Sequence, residues 1–135
     1  MKKTIMKKII YLVLIGILIL SCSHDDNSIN HELTGNWNWV KSSGGISYHI
    51  ETPESTGKTV KLEITNNTIK RYVNGNLDYE SNYSIVSEKE NGVQLQIITF
   101  DDQIIPLQIT SLNESTLKLS EYKVDDGFQY EYLRE

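Results

Sequence analysis

The fold is decided by the stretch from Leu77 to Ile85, which reads LDYESNYSI. Apolar or aromatic residues, with one serine among them, alternate with polar residues along this stretch. Every second side chain of an extended strand points to the same face, so a period of two is typical of a β-strand with one buried face. We therefore predict a long, half-buried strand over residues 76–87.

The same period recurs on both sides of this stretch, and turn signals separate the runs. Asn74-Gly75, Asn91-Gly92 and Asp126-Gly127 are pairs that supply the positive φ of tight hairpin turns, so most neighbouring strands should be antiparallel. The pattern predicts eight strands, near residues 35–43, 58–65, 68–74, 76–87, 93–100, 103–110, 116–122 and 127–134.

These strands indicate an all-β protein. An antiparallel meander of eight strands closes most simply into an up-and-down barrel, because closure removes exposed strand edges. An incompletely closed barrel and a sandwich stay open as alternatives. No segment has a helical pattern of useful length, and Pro106 in the sixth run predicts an edge or bulged strand there.

The first 21 residues have the plan of a secretory signal, with four lysines ahead of an apolar run over residues 9–20. The run is shorter than the roughly 20 apolar residues that a spanning helix needs. It ends in Leu-Ile-Leu-Ser-Cys at Cys22, which resembles the lipobox of bacterial lipoproteins. The resemblance implies cleavage before Cys22 and acylation of its thiol. The first expected partner is therefore a membrane, to which the acyl chains on Cys22 anchor the protein.

Residues 22–32 are polar and predict a flexible tether, followed by a barrel domain over residues 33–135. The Asp25-Asp26 pair in the tether resembles the acidic surface-export signal of Bacteroidota lipoproteins, although solvating residues in a linker would look the same. We expect a lipid-anchored protein of the bacterial outer membrane, with display at the cell surface as one option.

Charge and cysteine content exclude several classes of function. Without residues 1–21, which hold four of the 13 basic residues and no acidic one, the chain keeps 9 basic and 18 acidic residues, a formal net charge of −9. Nucleic acid is not an expected partner, because binding phosphates requires a basic stripe. The single cysteine, if acylated, leaves none for disulfides or a thiolate zinc site, and we expect neither a metal site nor a cofactor.

The opening of the first strand, Leu33-Thr34-Gly35-Asn36-Trp37, resembles the Gly-x-Trp element of lipocalins. More specifically, residues 35–40, 43–46 and 52–55 resemble the lipocalin-like domain of small Bacteroidota lipoproteins. The resemblance implies that Trp37 packs across the closed end of the barrel under a basic residue from near the carboxyl end, here Arg134. Their contact would be a structural cation–π pair.

Two groups of aromatic and apolar residues are candidates for ligand binding. Tyr48 and Ile50 lie in the longest connection, residues 44–57, which in lipocalins lies over the open mouth and here predicts either a lid or a mobile surface loop. Tyrosines on the apolar strand faces suit a pocket for an amphipathic ligand, but they suit a filled interior equally well. These tyrosines are Tyr79, Tyr83, Tyr130 and Tyr132.

Three functions follow in order of preference. The first is a non-enzymatic binding protein that holds a small apolar or amphipathic molecule at the barrel mouth. The second is an interaction module that contacts an envelope protein or glycan through its loops, with a filled barrel. An enzyme is third, since the sequence names no nucleophile, metal cluster or cofactor loop, and the three histidines have no spacing typical of a site.

Overall fold

A computed structural model describes residues 26–135, with side chains described from residue 28 onward. The predicted signal, Cys22 and Asp25 lie outside the described residues. The described chain is all-β, with a closed antiparallel barrel of eight strands, one additional strand and two short helices. The helices are α1 (Asp26–Leu33) and α2 (Pro53–Thr56), and the strands are β1 (Gly35–Gly44), β2 (His49–Glu51), β3 (Val60–Ile64), β4 (Thr68–Val73), β5 (Asn76–Glu90), β6 (Val93–Phe100), β7 (Leu107–Leu112), β8 (Thr116–Glu121) and β9 (Gln129–Arg134).

The barrel closes between the first and last strands. Consecutive strands from β3 to β9 pair in order, β1 pairs with β3, and β9 returns to β1 with Trp37 opposite Arg134 and Ser43 opposite Gln129. Strand β5 is long because its first half pairs with β4 and its second half with β6. The predicted all-β barrel with up-and-down order is therefore confirmed, and the described strands do not form a sandwich.

The asparagine-glycine turns form as predicted. Asn74 and Gly75 have φ values of 51° and 79°, and Asn91 and Gly92 have φ values of 49° and 84°. Both pairs thus have positive φ at the two central positions, which is the geometry of the tight turns that suit the twist of a hairpin.

The strand alternation packs one face of the sheet into a core. Trp37, Leu62, Ile64 and Leu117 are inward-facing and almost fully buried. They lie toward the end of the barrel where β1 begins and β9 ends, which we call the closed end. The opposite end, where β1 ends and β9 begins, we call the mouth.

Three sequence expectations about the elements need correction. The structure has nine strands rather than eight, because part of the predicted 44–57 connection pairs with the end of β1 as strand β2. The sixth predicted strand begins at Leu107 rather than 103, so Pro106 precedes it. The strand is paired on both sides, with a bulge between Ile109 and Ser111, so the bulge is present but the strand is not an edge.

Helices were not expected, and α1 occupies most of the predicted tether. Its sequence is polar and has no apolar period, but Leu33 at its carboxyl end is fully buried in the core. Local hydrogen bonds also end the helix, since Thr34 donates its backbone N–H and its hydroxyl to the Asn30 carbonyl at 3.0 and 2.7 Å. Residues 26–33 are therefore helical, and the buried Leu33 connects the carboxyl end of this helix to the barrel core.

Candidate functional site

The closed end is sealed by Trp37 and Arg134. The guanidinium carbon of Arg134 lies 4.0 Å from the centroid of the buried Trp37 ring. Arg134 also donates to the backbone carbonyls of Glu32, Thr34 and Glu114, the last two at 2.8 Å, and the Trp37 indole donates to the Leu33 carbonyl at 2.8 Å. The two residues predicted to close the barrel are thus in contact, and no space for a ligand opens between them.

Gly35 is required at this closure. It has φ +144°, and a Cβ built on it would collide with the Arg134 guanidinium. The glycine of the Gly-x-Trp element therefore leaves the room that Arg134 needs to lie over the Trp37 ring.

The mouth holds an open cavity of about 380 Å³. The residues that line it share an origin, since most lie at the strand ends farthest from Trp37 or in the two connections that border the mouth. They are Trp39, Ser42, Glu51, Thr56, Lys58, Val60, Arg71, Tyr79, Ile104, Ile105, Leu107, Glu121, Phe128, Tyr130 and Tyr132. This volume is near the lower end of the roughly 300–1,000 Å³ found for small-molecule sites.

Strand register places a positive charge on the wall of the cavity. Ile69 and Arg71 share the inner face of β4, and Arg71 lies opposite Leu62 on one side and Tyr79 on the other. Its Nη1 donates to the Asp78 carboxylate at 2.9 Å, and both side chains are partly exposed. Arg71 lines the cavity but Asp78 does not, so the cationic member of the pair is the one that faces the cavity.

The buried side of the cavity is formed by Trp39, Ser42 and Tyr132, which are 8%, 5% and 6% exposed. Trp39 and Tyr132 are cross-strand neighbours on β1 and β9. Within residues 28–135, the Trp39 indole N–H and the hydroxyls of Ser42 and Tyr132 make no hydrogen bond. Their polar atoms are nevertheless accessible to solvent, because the only fully buried side-chain polar atom without a partner among the described residues is Asn30 Oδ1. These three groups are therefore available to a molecule in the cavity.

Two more tyrosines complete the wall. Tyr130 donates to Glu121 Oε1 at 2.8 Å, while Glu121 Oε2 accepts the backbone N–H of Phe128 at 2.9 Å. Both carboxylate oxygens of Glu121 are therefore already engaged. Tyr79, opposite Arg71, has no hydrogen bond to its hydroxyl among the described side chains.

Burial raises the pKa of all three cavity tyrosines. It is the largest cause for Tyr79, Tyr130 and Tyr132, and the hydrogen bond to Glu121 raises the pKa of Tyr130 further. The nearby Arg71 charge opposes the rise in each case, because it favours the phenolate. The three phenols are therefore neutral donors at physiological pH.

The segment between β1 and β3 borders the mouth through residues other than those predicted. Glu51, Thr56 and Lys58 line the cavity. The short helix α2 positions Thr56: Thr52 and Ser55 form a reciprocal capping box at its start, and the Thr56 hydroxyl donates to the Thr52 carbonyl at 2.8 Å. Part of the 44–57 connection thus does lie at the mouth.

Of the six residues predicted to bind a ligand, the structure brings Tyr79, Tyr130 and Tyr132 together in the cavity. Tyr83 is buried in the core, where its hydroxyl donates to the Thr65 carbonyl at 2.7 Å, and it does not line the cavity. Tyr48 and Ile50 are 70% and 51% exposed on the outside of the hairpin formed by β1 and β2, and they are not among the lining residues.

The sequence interpretation missed Arg71, Trp39, Glu121 and the Ile104-Ile105 pair. The sequence does contain a signal for Arg71. Ile69, Arg71 and Val73 alternate along one strand, so a charged residue between two apolar residues of the same face is expected to face the interior. Glu121 likewise follows Leu117 and Leu119 at a period of two. Ile104 and Ile105 had no such signal, since residues 101–106 were interpreted partly as strand.

Comparison with protein-family models, with curated proteins and with solved structures found no match. The lipocalin-like resemblance therefore stays a prediction. Among residues 26–135, no cluster of His, Cys, Asp and Glu is placed to hold a metal ion. Neither of the described helices is long and apolar enough to cross a membrane.

Proposed function

We propose that this protein is a non-enzymatic binding protein that holds a small amphipathic molecule in the mouth cavity. One observation carries the proposal: the cavity combines an apolar lining with accessible polar atoms of largely buried residues, and these atoms make no hydrogen bond in the described chain. A small number of placed polar groups on an apolar lining is typical of small-molecule sites. The modest volume favours a compact ligand over a long-chain lipid.

Retention of a ligand tests this proposal directly. The mature protein is purified from its own host and analysed by native mass spectrometry, and we expect a small-molecule adduct. Ser42→Met, which fills the buried side of the cavity, should remove the adduct, whereas Ser84→Met, at an exposed position on β5, should keep it. Absence of any adduct from the wild-type protein, with no stabilisation by a library of amphipathic compounds, would contradict the proposal.

The proposal includes the predicted membrane anchor, with Cys22 as the lipidated residue and the bacterial outer membrane as the location. Replacing Cys22 by Ala should abolish labelling by a radioactive or clickable fatty acid and release the protein from the membrane fraction. Replacing both Asp25 and Asp26 by Ala should lower protease accessibility on whole cells if this pair directs surface display. Unchanged labelling of the Cys22→Ala variant would refute the anchor.

An exposed apolar patch favours a second candidate, an interaction module for an envelope protein or glycan. Ile46 is 94% exposed, and Tyr48 and Ile50 lie beside it on the same hairpin. A photo-crosslinking residue at position 48 should then capture a partner in intact cells, while one at Val93, exposed on another hairpin, should not. Equal capture from both positions would argue against this candidate.

A further inference from the structure

We propose that the ligand of the mouth cavity is a small apolar carboxylic acid, whose carboxylate is bound by the Arg71 guanidinium and by the hydroxyls of Tyr79 and Tyr132. This inference rests on the proposed binding function and specifies its substrate class. It follows from the charge, the hydrogen-bonding state and the lining of one cavity.

Arg71 has unused capacity for an anion. A guanidinium has five N–H donors, and Asp78 accepts only from Nη1 in this structure. The remaining donors make no other hydrogen bond within the described chain. Asp78 lies outside the cavity lining, so its carboxylate leaves part of the planar fork facing the cavity. That fork matches the two oxygens of a carboxylate.

The other free polar groups near Arg71 are mainly donors. Tyr132 is more than nine-tenths buried with an unpaired hydroxyl, the Trp39 indole can only donate, and Tyr79 lies opposite Arg71. An ionised carboxylate only accepts hydrogen bonds, so it satisfies this set without leaving a donor unpaired. The raised pKa values of the two tyrosines keep both as protonated donors.

The acidic residues of the cavity do not compete for the same position. Glu121 uses both oxygens on Tyr130 and on the Phe128 backbone. Glu51 lies on the additional strand β2, and the oppositely charged Lys58 lines the same cavity. A free cation would find no unengaged carboxylate beside Arg71. Arg71 is therefore the charged group of this wall that keeps unused hydrogen-bond donors, and these donors favour an anion.

The other residues that line the cavity are mostly apolar, and they indicate the chemistry of the ligand beyond its carboxylate. Val60, Ile104, Ile105, Leu107 and Phe128 face the same space as the donors. A ligand that satisfies both parts has a carboxylate at one end and an aromatic ring or a short aliphatic group at the other. The cavity of about 380 Å³ limits the size of this group.

Three probes of one size but different charge test the inference on the mature protein by isothermal titration calorimetry. The probes are benzoate, benzyl alcohol and benzylamine. We expect benzoate to bind at least about tenfold more tightly than benzyl alcohol, since hydrogen bonds to a charged group are the stronger kind. Benzylamine should bind most weakly.

Variants assign the effect to the named residues. Arg71→Met should reduce benzoate affinity to that of benzyl alcohol. Tyr79→Phe and Tyr132→Phe should each reduce it about three- to tenfold, and because their hydroxyls have no partner in the described chain, the fold should tolerate these changes even if Arg71→Met does not fold. Lys118→Met, on the outer face of β8, is the matched control and should leave benzoate affinity unchanged.

The outcomes separate this inference from the proposed function. Equal binding of benzoate and benzyl alcohol, with no effect of Arg71→Met or the tyrosine variants, would overturn the carboxylate assignment and leave a binding cavity. Tighter binding of benzylamine than of benzoate would show that the cavity prefers a cation and would overturn the proposal of an anionic ligand. If none of the probes binds at millimolar concentration, the carboxylate assignment fails, and the retained-ligand measurement decides the binding function independently.

Discussion

Arg134 connects more distant parts of the chain than its position next to the last residue would suggest. It stacks on Trp37 of β1, binds carbonyls at the end of α1, and binds the carbonyl of Glu114 in the turn before β8. A cation at a helix carboxyl end also interacts favourably with the helix dipole. One side chain therefore joins the helix, the first strand and the turn between β7 and β8.

We expect Arg134→Met to lower the free energy of unfolding by about 2 kcal/mol, from the lost hydrogen bonds and the lost cation–π contact of a partly exposed group. Arg134→Lys should recover only part of this, because an ammonium cannot stack on the ring and reach three carbonyls in different directions. Urea unfolding, monitored by Trp fluorescence, measures the free energy of unfolding of both variants. Lys118→Met, which removes an exposed ion pair with Glu131, should cost less than about 1 kcal/mol and is the control.

Buried tyrosines make the fold sensitive to alkali. Burial raises the pKa of Tyr132 and Tyr83 above the ordinary value of 10.0. The unfolded chain loses these protons near pH 10, while the folded chain holds them to higher pH, so their contribution is fully present below pH 10 and is lost as the pH rises above it. Tyr132→Phe should therefore make the free energy of unfolding fall less steeply above pH 10.

The measurement is urea unfolding at a series of pH values from neutral to alkaline. Tyr132→Phe should leave stability at neutral pH within about 1 kcal/mol of wild type, because the hydroxyl it removes has no partner in the described chain. Tyr48→Phe, at an exposed position, is the control for the same change of side chain and should leave stability at neutral pH unchanged. Identical alkaline slopes for wild type and Tyr132→Phe would show that Tyr132 is not protected from titration.

Strand β1 shows how one element serves both ends of the barrel. Its first half pairs with β3 as far as Asn38, which lies opposite Lys61, and β2 pairs with the same side of β1 from Ser42 onward. At the end of β1 the chain passes very close to β9. A Cβ on Gly44 would lie 2.5 Å from the Gly127 carbonyl oxygen and 2.8 Å from the Phe128 Cα.

Gly44→Ala should therefore open the seam between β1 and β9 at the mouth. Gly44 has φ +151°, and the backbone atoms of β9 cannot move aside as a flexible side chain would. We therefore expect the free energy of unfolding to fall by about 3 kcal/mol. Gly75→Ala is the matched control: it has φ +79° but nothing within 4 Å, so only the backbone strain of about 1 kcal/mol remains. Thermal unfolding of the two variants, followed by circular dichroism, should rank them in this order, and equal losses would exclude the collision.

The elements differ in how far local sequence predicts them. Strand β5 and the Asn-Gly turns follow from side-chain alternation and from backbone preference, which are local properties. Helix α1 does not, because its polar sequence is held by Leu33 and Arg134, which are tertiary contacts. The cavity was predictable only in part. Strand periodicity predicts that its tyrosines face the interior, but it does not predict that Tyr79, Tyr130 and Tyr132 line the cavity while Tyr83 lies in the filled core.

At the scale of the whole molecule, the barrel divides into a filled closed end and an open mouth. Trp37, Leu62 and Leu117 pack the closed end with almost no exposure, whereas Ile105, which lines the mouth cavity, is about half exposed. Dense burial resists local opening, and segments with few buried contacts open at low free energy. A binding site at the looser end can adapt to its ligand without disturbing the core.

Amide hydrogen exchange should follow this division. Amides of β1, β8 and β9 near Trp37, Leu117 and Arg134 should exchange only through global unfolding, whereas residues 44–57 and 101–106 should exchange orders of magnitude faster. Saturating benzoate should slow exchange in the two mouth segments, because a ligand stabilises the states that bind it. The most slowly exchanging amides should slow only by the factor that binding adds to global stability. Protection confined to the outer hairpin around Ile46 would instead place the ligand on the exposed apolar patch and outside the barrel.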